Sequence, residues 1–493
     1  MFERIRISGT LRLCSDLHVG SGNVEDIRPR VQDAEEGSYR SVLLDHAGKP
    51  MIPASTLRGW LRQYACTVAR GSNHTQLEYF EYNAFGHSEG DKRVTGRVRL
   101  QDAILRAAAK PSTDKPKSYD AERGTLLRHG IALDARTGVV DDHKLFHYEV
   151  VPAGTVFSFS LEVDRCDPEE LPLLLGLLTG WDGSQNASVG GDSSMGQGRL
   201  QWTLEKVESV TAESISSWLA RQQAEYWQVM KTIPDVAPFS LAVHGLSFGL
   251  DAFGGLLIND PDWVKDSVNE QDHPPKQVYS RRLGGEARIP GRSLRGLVRT
   301  RARRIVATLL HQAGTPAESA SEQAEALITP FFGGEKQAGC LFLSDALLVR
   351  QQVSSVRPSI AVDRFTGGVK GCSKGADDGA LWAAEVIEQA EWKGDAQLDA
   401  FRLPDADWWK GLLLFVVRDA LEGDFAIGSG KSKGLGQFRL KLYLPDQACI
   451  GDWAALRDYL QSRGHDAAGW VKSLHDYLQQ STATTAETEE AVQ

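Results

Sequence analysis

Ile52-Pro53-Ala54-Ser55-Thr56-Leu57-Arg58-Gly59 returns further along the chain as Ile289-Pro290-Gly291-Arg292-Ser293-Leu294-Arg295-Gly296. Outward from this pair the likeness continues. Phe85-Gly86 answers to Phe332-Gly333, and each is followed by an apolar strand ending in a short acidic step, Leu100-Gln101-Asp102-Ala103 and Leu343-Ser344-Asp345-Ala346. Ile131-Ala132-Leu133-Asp134-Ala135-Arg136-Thr137-Gly138 answers to Ile360-Ala361-Val362-Asp363-Arg364-Phe365-Thr366-Gly367, and Ser194-Met195-Gly196-Gln197-Gly198 to Ser432-Lys433-Gly434-Leu435-Gly436. Four blocks in one order, at an offset of about 240 residues, mark an internal duplication that chance similarity explains poorly. The chain is two copies of one domain.

A length of 493 residues suits two or three domains. The first copy occupies 1–208. A helical linker, 209–238, follows: Ser214 to Met230 carries apolar Ile215, Trp218, Leu219, Tyr226 and Val229 before Pro234 and Pro238 break the chain. The second copy occupies 239–446. The remainder, 447–493, holds a helical piece from Trp453 to Leu478 and a Thr/Ala/Glu tail from Ser481 that reads as disordered.

Within each copy the order is strand, long loop, helix, strands, helix, glycine loop, strand. Arg4-Ile5-Arg6-Ile7 and Phe157 to Val163 alternate as half-buried antiparallel strands do. After Pro53, Ser55 is placed to cap a helix whose Leu57, Trp60, Leu61, Tyr64 and Val68 form one apolar stripe, with Arg58 and Arg62 on another face. In the second copy Ser293 is placed likewise, Leu294, Leu297, Val298 and Ile305 form the stripe, and Arg295, Arg299 and Arg303 line up at i, i+4 and i+8. The expected class is α+β: two tandem ferredoxin-like (RRM-like) domains with long inserted loops.

Composition excludes other classes. Hydrophobic residues at 41% and charged residues at 24% are those of a cored globular protein, and no run of about 18 apolar residues occurs that could span a membrane. The N-terminus, Met-Phe-Glu-Arg-Ile-Arg-Ile, alternates where a signal peptide needs an apolar stretch, so a cytoplasmic address is expected. The six cysteines are scattered without a Cys-x-x-Cys pair, which suggests neither a disulfide framework nor a structural zinc site. Gly430-Lys431-Ser432 is no phosphate-binding P-loop, because the glycine that pattern needs is Phe425. A net charge of −10 speaks against nucleic acid, yet from Arg281 to Arg304 nine arginines face one acid, Glu286. The run is either a solvated face or a local phosphate-binding field.

The order Ile-Pro-x-Ser-x-Leu-Arg-Gly, then Asp-x-x-Thr-Gly, then the glycine loop resembles the RAMP superfamily, and in particular the backbone subunits of type III CRISPR effector complexes, here fused in tandem as in type III-D components. The resemblance implies that the chain binds CRISPR RNA and complementary target RNA beside other RAMP subunits and a large polymerase-like subunit. Residue by residue it places His18, Ser55, Thr56, Arg58 and Arg62 on the guide backbone, with Arg292, Ser293, Arg295 and Arg299 matching in the second copy. There Leu246-Ser247-Phe248-Gly249 lacks the histidine. Taken alone, His18 reads more readily as a satisfied structural histidine. Gly196, Gly198, Lys431, Gly434 and Gly436 belong to loops that serve either a tight turn into the last strand or close approach to a polyanion. Arg136 and Arg364 sit in the Asp-x-x-Thr-Gly blocks, where the family carries a hairpin that wedges into the guide–target duplex; the alternative is an aspartate capping a turn.

Target-cutting members use an aspartate in the loop after the first strand. In Gly20-Ser21-Gly22-Asn23-Val24-Glu25-Asp26-Ile27-Arg28-Pro29 the matching position is Asp26, which would hold a divalent metal, Mg2+, beside the scissile phosphate. In the second copy, counting back from the shared strand reaches Asp262, whereas the local pattern favours Asp266. The other readings are a RAMP endoribonuclease that processes precursor CRISPR RNA without metal, and a non-catalytic RNA-binding assembly subunit.

Overall fold

The computed structural model describes residues 2–26, 38–89, 92–111, 116, 118–133, 140–184, 188–222, 225–239, 243–260, 278–334, 337–350, 353–368, 381–400, 402–446 and 448–492. The chain divides into two compact units, Met1–Val243 and His244–Gln493.

The first unit runs β1 (Phe2–Leu13), β2 (Gly20–Asp26), β3 (Ser38–Val42), β4 (Met51–Ile52), α1 (Ala54–Ser72) and α2 (Thr75–Phe85). It continues with β5 (Gly86–Glu89), β6 (Lys92–Thr95), β7 (Val98–Leu100), β8 (Ala103–Ala107), β9 (Tyr119–Asp120), β10 (Thr125–Leu133), β11 (Val140–Val150) and β12 (Val156–Cys166). α3 (Glu170–Thr179), β13 (Leu200–Val210), α4 (Ala212–Leu219) and β14 (Gln228–Val229) complete it. Its main sheet has the order β14-β13-β1-β12-β8-β4. The inner four strands with α1 and α3 are the βαββαβ arrangement of a ferredoxin-like domain. Alternation along β1 decides the faces: Ile5, Ile7, Leu11 and Leu13 are buried beneath the helices, and Arg4 and Arg6 turn out to meet Asp164 and Glu162 on β12. α1 buries Leu57, Leu61, Tyr64 and Val68 as its stripe requires.

The second unit repeats this with β15 (Val243–Ala252), β16 (Gly255–Leu256), β17 (Arg288–Ile289), α5 (Gly291–Gln312), α6 (Ala317–Phe332), β18 (Leu341–Leu343) and β19 (Ala346–Arg350). There follow β20 (Val353–Ile360), β21 (Leu381–Glu388), β22 (Glu391–Asp399), α7 (Trp408–Glu422), β23 (Phe425–Ala426), β24 (Gln437–Tyr443), β25 (Cys449–Ile450), α8 (Trp453–Ser462) and α9 (Ala467–Val492). Its sheet order, β17-β19-β22-β15-β24, is that of β4-β8-β12-β1-β13 strand for strand. The helices after Pro53 and Pro290 begin at matching places.

The ends of several elements differ from expectation. The linker helix ends at Leu219, not near Met230, and Phe239 packs back on the first unit, where its N–H donates to the Gly176 carbonyl at 3.0 Å and its own carbonyl accepts from the Tyr64 hydroxyl at 2.6 Å. The expected C-terminal helix is two, α8 and α9, broken at Gly464 (φ +70°). α9 then continues through the tail that reads as disordered. Its packed first half supplies the nucleus and the Ala/Glu composition the propensity for it to propagate.

Candidate nucleic-acid interface and cutting strand

Beyond β1 the chain passes through Asp16 and His18 and lies against the glycine loop. The Gly191 N–H donates to the His18 carbonyl and the Gly198 N–H to the Asp16 carbonyl, both at 2.8 Å. A Cβ on Gly198 (φ +74°) would stand 1.9 Å from the Val189 carbonyl oxygen, and one on Gly436 (φ +84°) 2.1 Å from that of Ile427. These two glycines are explained by the turn into the last strand. Gly196 is buried at φ +81°. Gly434 is exposed with nothing near its missing side chain, and Lys431 is exposed beside it, so this stretch leaves room for an outside backbone. His18 is half-buried, with Nδ1 2.7 Å from the Glu149 carbonyl and its ring edge-on to Tyr148.

The motif helices are capped otherwise than Ser55 and Ser293 suggested. The N-caps are Pro53 and Pro290, without a side-chain cap of their own. Instead Asp102 Oδ1 accepts from the Ala54 N–H at 2.7 Å, and Asp345 Oδ1 from the Gly291 N–H at 2.9 Å. The acidic step of each copy thus sets a carboxylate against the positive end of its own helix, where a phosphate would otherwise be drawn. Ser55 is exposed, and Thr56 and Ser293 are half-buried.

The arginines turn inward. Arg58 donates from Nη2 to the Phe85 carbonyl at 2.5 Å, and Arg295 donates in the same way to the Phe332 carbonyl. These are the last residues of α2 and α6. Arg62 pairs with Glu81 at 2.7 Å; Arg299 bonds Glu325 at 3.0 Å and the Gly333 carbonyl at 2.9 Å. Arg295 is 8% exposed, which leaves little of it for a phosphate. Five more arginines of the run are partnered in the same manner, Arg281 with Glu385, Arg282 and Arg288 with Asp345, Arg301 with Asp419 and Arg303 with Ser321, while Arg304 is exposed. Most of the local positive field is therefore neutralised inside the second unit, an outcome neither reading of the run contained. Arg292 is half-buried.

Asp134 and Arg136 lie outside the described residues. In the second unit Asp363 Oδ1 accepts from the backbone N–H of Phe365 and of Thr366, each at 2.9 Å, and these bonds hold its pKa below the ordinary aspartate value. The turn presents Arg364 to solvent beside Phe365, which is 99% exposed.

Asp26 ends β2, opposite Ser38 of β3, with its side chain exposed. Asp262 and Asp266 lie outside the described residues. Sequence reasoning missed the group beside Asp26: Glu25 accepts from the Tyr39 hydroxyl at 2.8 Å and lies 3.4 Å from Arg123. Burial raises the Glu25 pKa, but the Tyr39 hydroxyl and the Arg123 charge outweigh it and hold the carboxyl below its usual range. Burial and the same bond push Tyr39 up to about 12. No sequence pattern links Arg123 to Glu25, 98 residues away. Among the described residues, no three His, Cys, Asp or Glu side chains gather into a metal cage.

Two ferredoxin-like domains with a hairpin and a glycine loop at matching places define a tandem of one α+β fold. The sequence profile of the RAMP superfamily matches residues 10–201 and 254–439, more than half of the chain, and the chain belongs to that superfamily as two domains in tandem. Over 231 residues it is 22% identical to the CRISPR system Cms endoribonuclease Csm3 of Enterococcus italicus, covering 45% of this chain and 99% of that protein. Among the described residues no helix is long and apolar enough to cross a membrane.

Proposed function

We propose that the chain is a double-length backbone subunit of a type III CRISPR effector complex, binding CRISPR RNA with both domains and cutting complementary target RNA at Asp26 with a divalent metal ion, Mg2+. Other RAMP subunits and a large polymerase-like subunit would be its neighbours. The observation that carries the reading is an exposed carboxylate at the end of β2, in a chain whose relative is an endoribonuclease matched over almost its whole length. One carboxylate without a cage suits Mg2+, which commonly binds through one or two carboxylates, water and substrate phosphates. When bound, the ion supplies positive charge against the charge developing on the scissile phosphate. Asp26 would hold it, and Gly20 and Gly22, exposed on the same strand, leave the RNA backbone room to approach.

In the reconstituted complex, Asp26→Ala is expected to slow one specific cut about 100-fold or more while guide and target affinities stay within about twofold, since the carboxylate acts in the transition state. Excess chelator should erase the same cut. A cut that persists in chelator would favour the metal-free processing nuclease, and loss of target binding would make the loop structural.

A further inference from the structure

β2 is the outer strand of a second sheet, of order β2-β3-β11-β10-β9, and its ladder to β3 is irregular between Gly20 and Val24. None of its residues is buried. Hydrophobic packing therefore does not hold the strand that carries Asp26, and polar ties must. Ser21 and Ser41 hydroxyls meet at 2.7 Å, and near the far end Glu25 takes the Tyr39 hydroxyl and Arg123.

Arg123 is itself fixed from two sides. It sits in the turn between β9 and β10, where Asp120 Oδ1 accepts from the N–H of Glu122 at 2.9 Å and of Arg123 at 3.1 Å. Its guanidinium lies 3.6 Å from Glu149, a carboxylate 6% exposed that also takes the Val42 N–H at 3.0 Å and the Thr125 hydroxyl at 2.6 Å. A buried carboxylate of this kind needs a cation, so Glu149 dictates where Arg123 stands. Neighbouring residues of a strand face opposite ways, so fixing Glu25 on Arg123 turns Asp26 to the other face.

We propose that Arg123 and Tyr39 are positioning residues for Asp26: by clasping Glu25 they lock the end of β2 and set the direction and reach of the next carboxylate. The inference rests on Asp26 being the cutting residue. In the second unit β16 answers to Asp16 and Leu17, since Gly255 and Leu257 give their carbonyls to the glycine loop as Asp16 and His18 do, and the place that matches Asp26 lies outside the described residues.

The test uses the full chain in its guide-loaded complex, with Arg123→Ala, Arg123→Lys and the milder Tyr39→Phe. Amide hydrogen exchange over residues 20–26 should quicken at least tenfold in Arg123→Ala, and single-turnover cutting at saturating target should slow 10- to 100-fold, the usual cost of losing a group behind a metal ligand. Guide and target affinities should stay within about twofold, and Arg123→Lys should recover part of the rate, as a role in folding alone would not predict. Unchanged exchange over 20–26, or cutting at the wild-type rate in both Arg123→Ala and Tyr39→Phe, overturns the proposal. A wild-type complex that cuts nothing, with exchange responding as expected, overturns the role of Asp26 and leaves the clasp standing.

Discussion

At Arg295 a buried guanidinium reaches the last carbonyl of the neighbouring helix, and Arg58 does the same in the other half. A helix C-terminus offers unpaired carbonyls and partial negative charge, so a cation there is favoured twice. Arg295→Ala should leave the Phe332 carbonyl without its charged donor and cost about 2–3 kcal/mol, whereas Arg58→Ala, at a half-exposed site that water can refill, should cost about 1 kcal/mol. Urea unfolding of the two variants measures both. The i, i+4 spacing correctly put Arg295, Arg299 and Arg303 on one face of α5. It could not say what covers that face, because α6 is brought there by tertiary packing. Asp102 and Asp345 were visible only as an acidic step for the same reason: they cap helices that start 48 and 54 residues earlier.

Among the elements, the strands were the most legible, because burial on one side of a sheet imposes a period of two that survives any arrangement of neighbours. Helix ends were less so, as at α4, where a capping box at Thr211 sets the start and the following aromatic residues leave the helix for β14. Glycines inside helices separate packing from recognition. Gly411 on α7 lies under α9, where a Cβ would come within 2.4 Å of the Trp470 carbonyl oxygen, while Gly59 on α1 has nothing within 4 Å. Alanine in a helix interior ordinarily gains up to about 1 kcal/mol over glycine. Gly59→Ala should show that gain in thermal unfolding, and Gly411→Ala should reverse it, losing about 1–3 kcal/mol as α9 is displaced. If Gly59→Ala also weakens guide RNA binding while the fold is stabilised, RNA is what comes close to that helix face.

For the whole molecule, the duplication was readable from four short blocks because, among the described residues, they fall where the backbone is most constrained: the start of α1, the end of α2, the Asp363 turn of the second unit and the glycine loop. Charge was the least legible property. If the chain binds RNA as proposed, a net charge of −10 requires it to concentrate its cations, yet most of the arginine run is paired inside the second unit. Lys431 and Lys433, exposed beside Gly434, are the phosphate contacts expected under the proposed function. Replacing both with alanine should flatten the salt dependence of guide binding by roughly 1 in log–log slope, whereas Arg299→Ala should leave it unchanged. Filter binding across a salt series decides it; a flatter slope for Arg299→Ala would mean that its pairing with Glu325 yields to RNA.

A subunit made from a single gene and used at several places must carry the same side chain at each of them, so a change made for one is made for all. Two copies on one polypeptide escape that identity. The half-buried His18 and the buried Leu257, which give their carbonyls to the glycine loop at matching places, show the halves already drawn apart by separate mutation, with strand order kept in common. Either half of this chain can therefore be redesigned, or disabled, without touching the scaffold that the other provides.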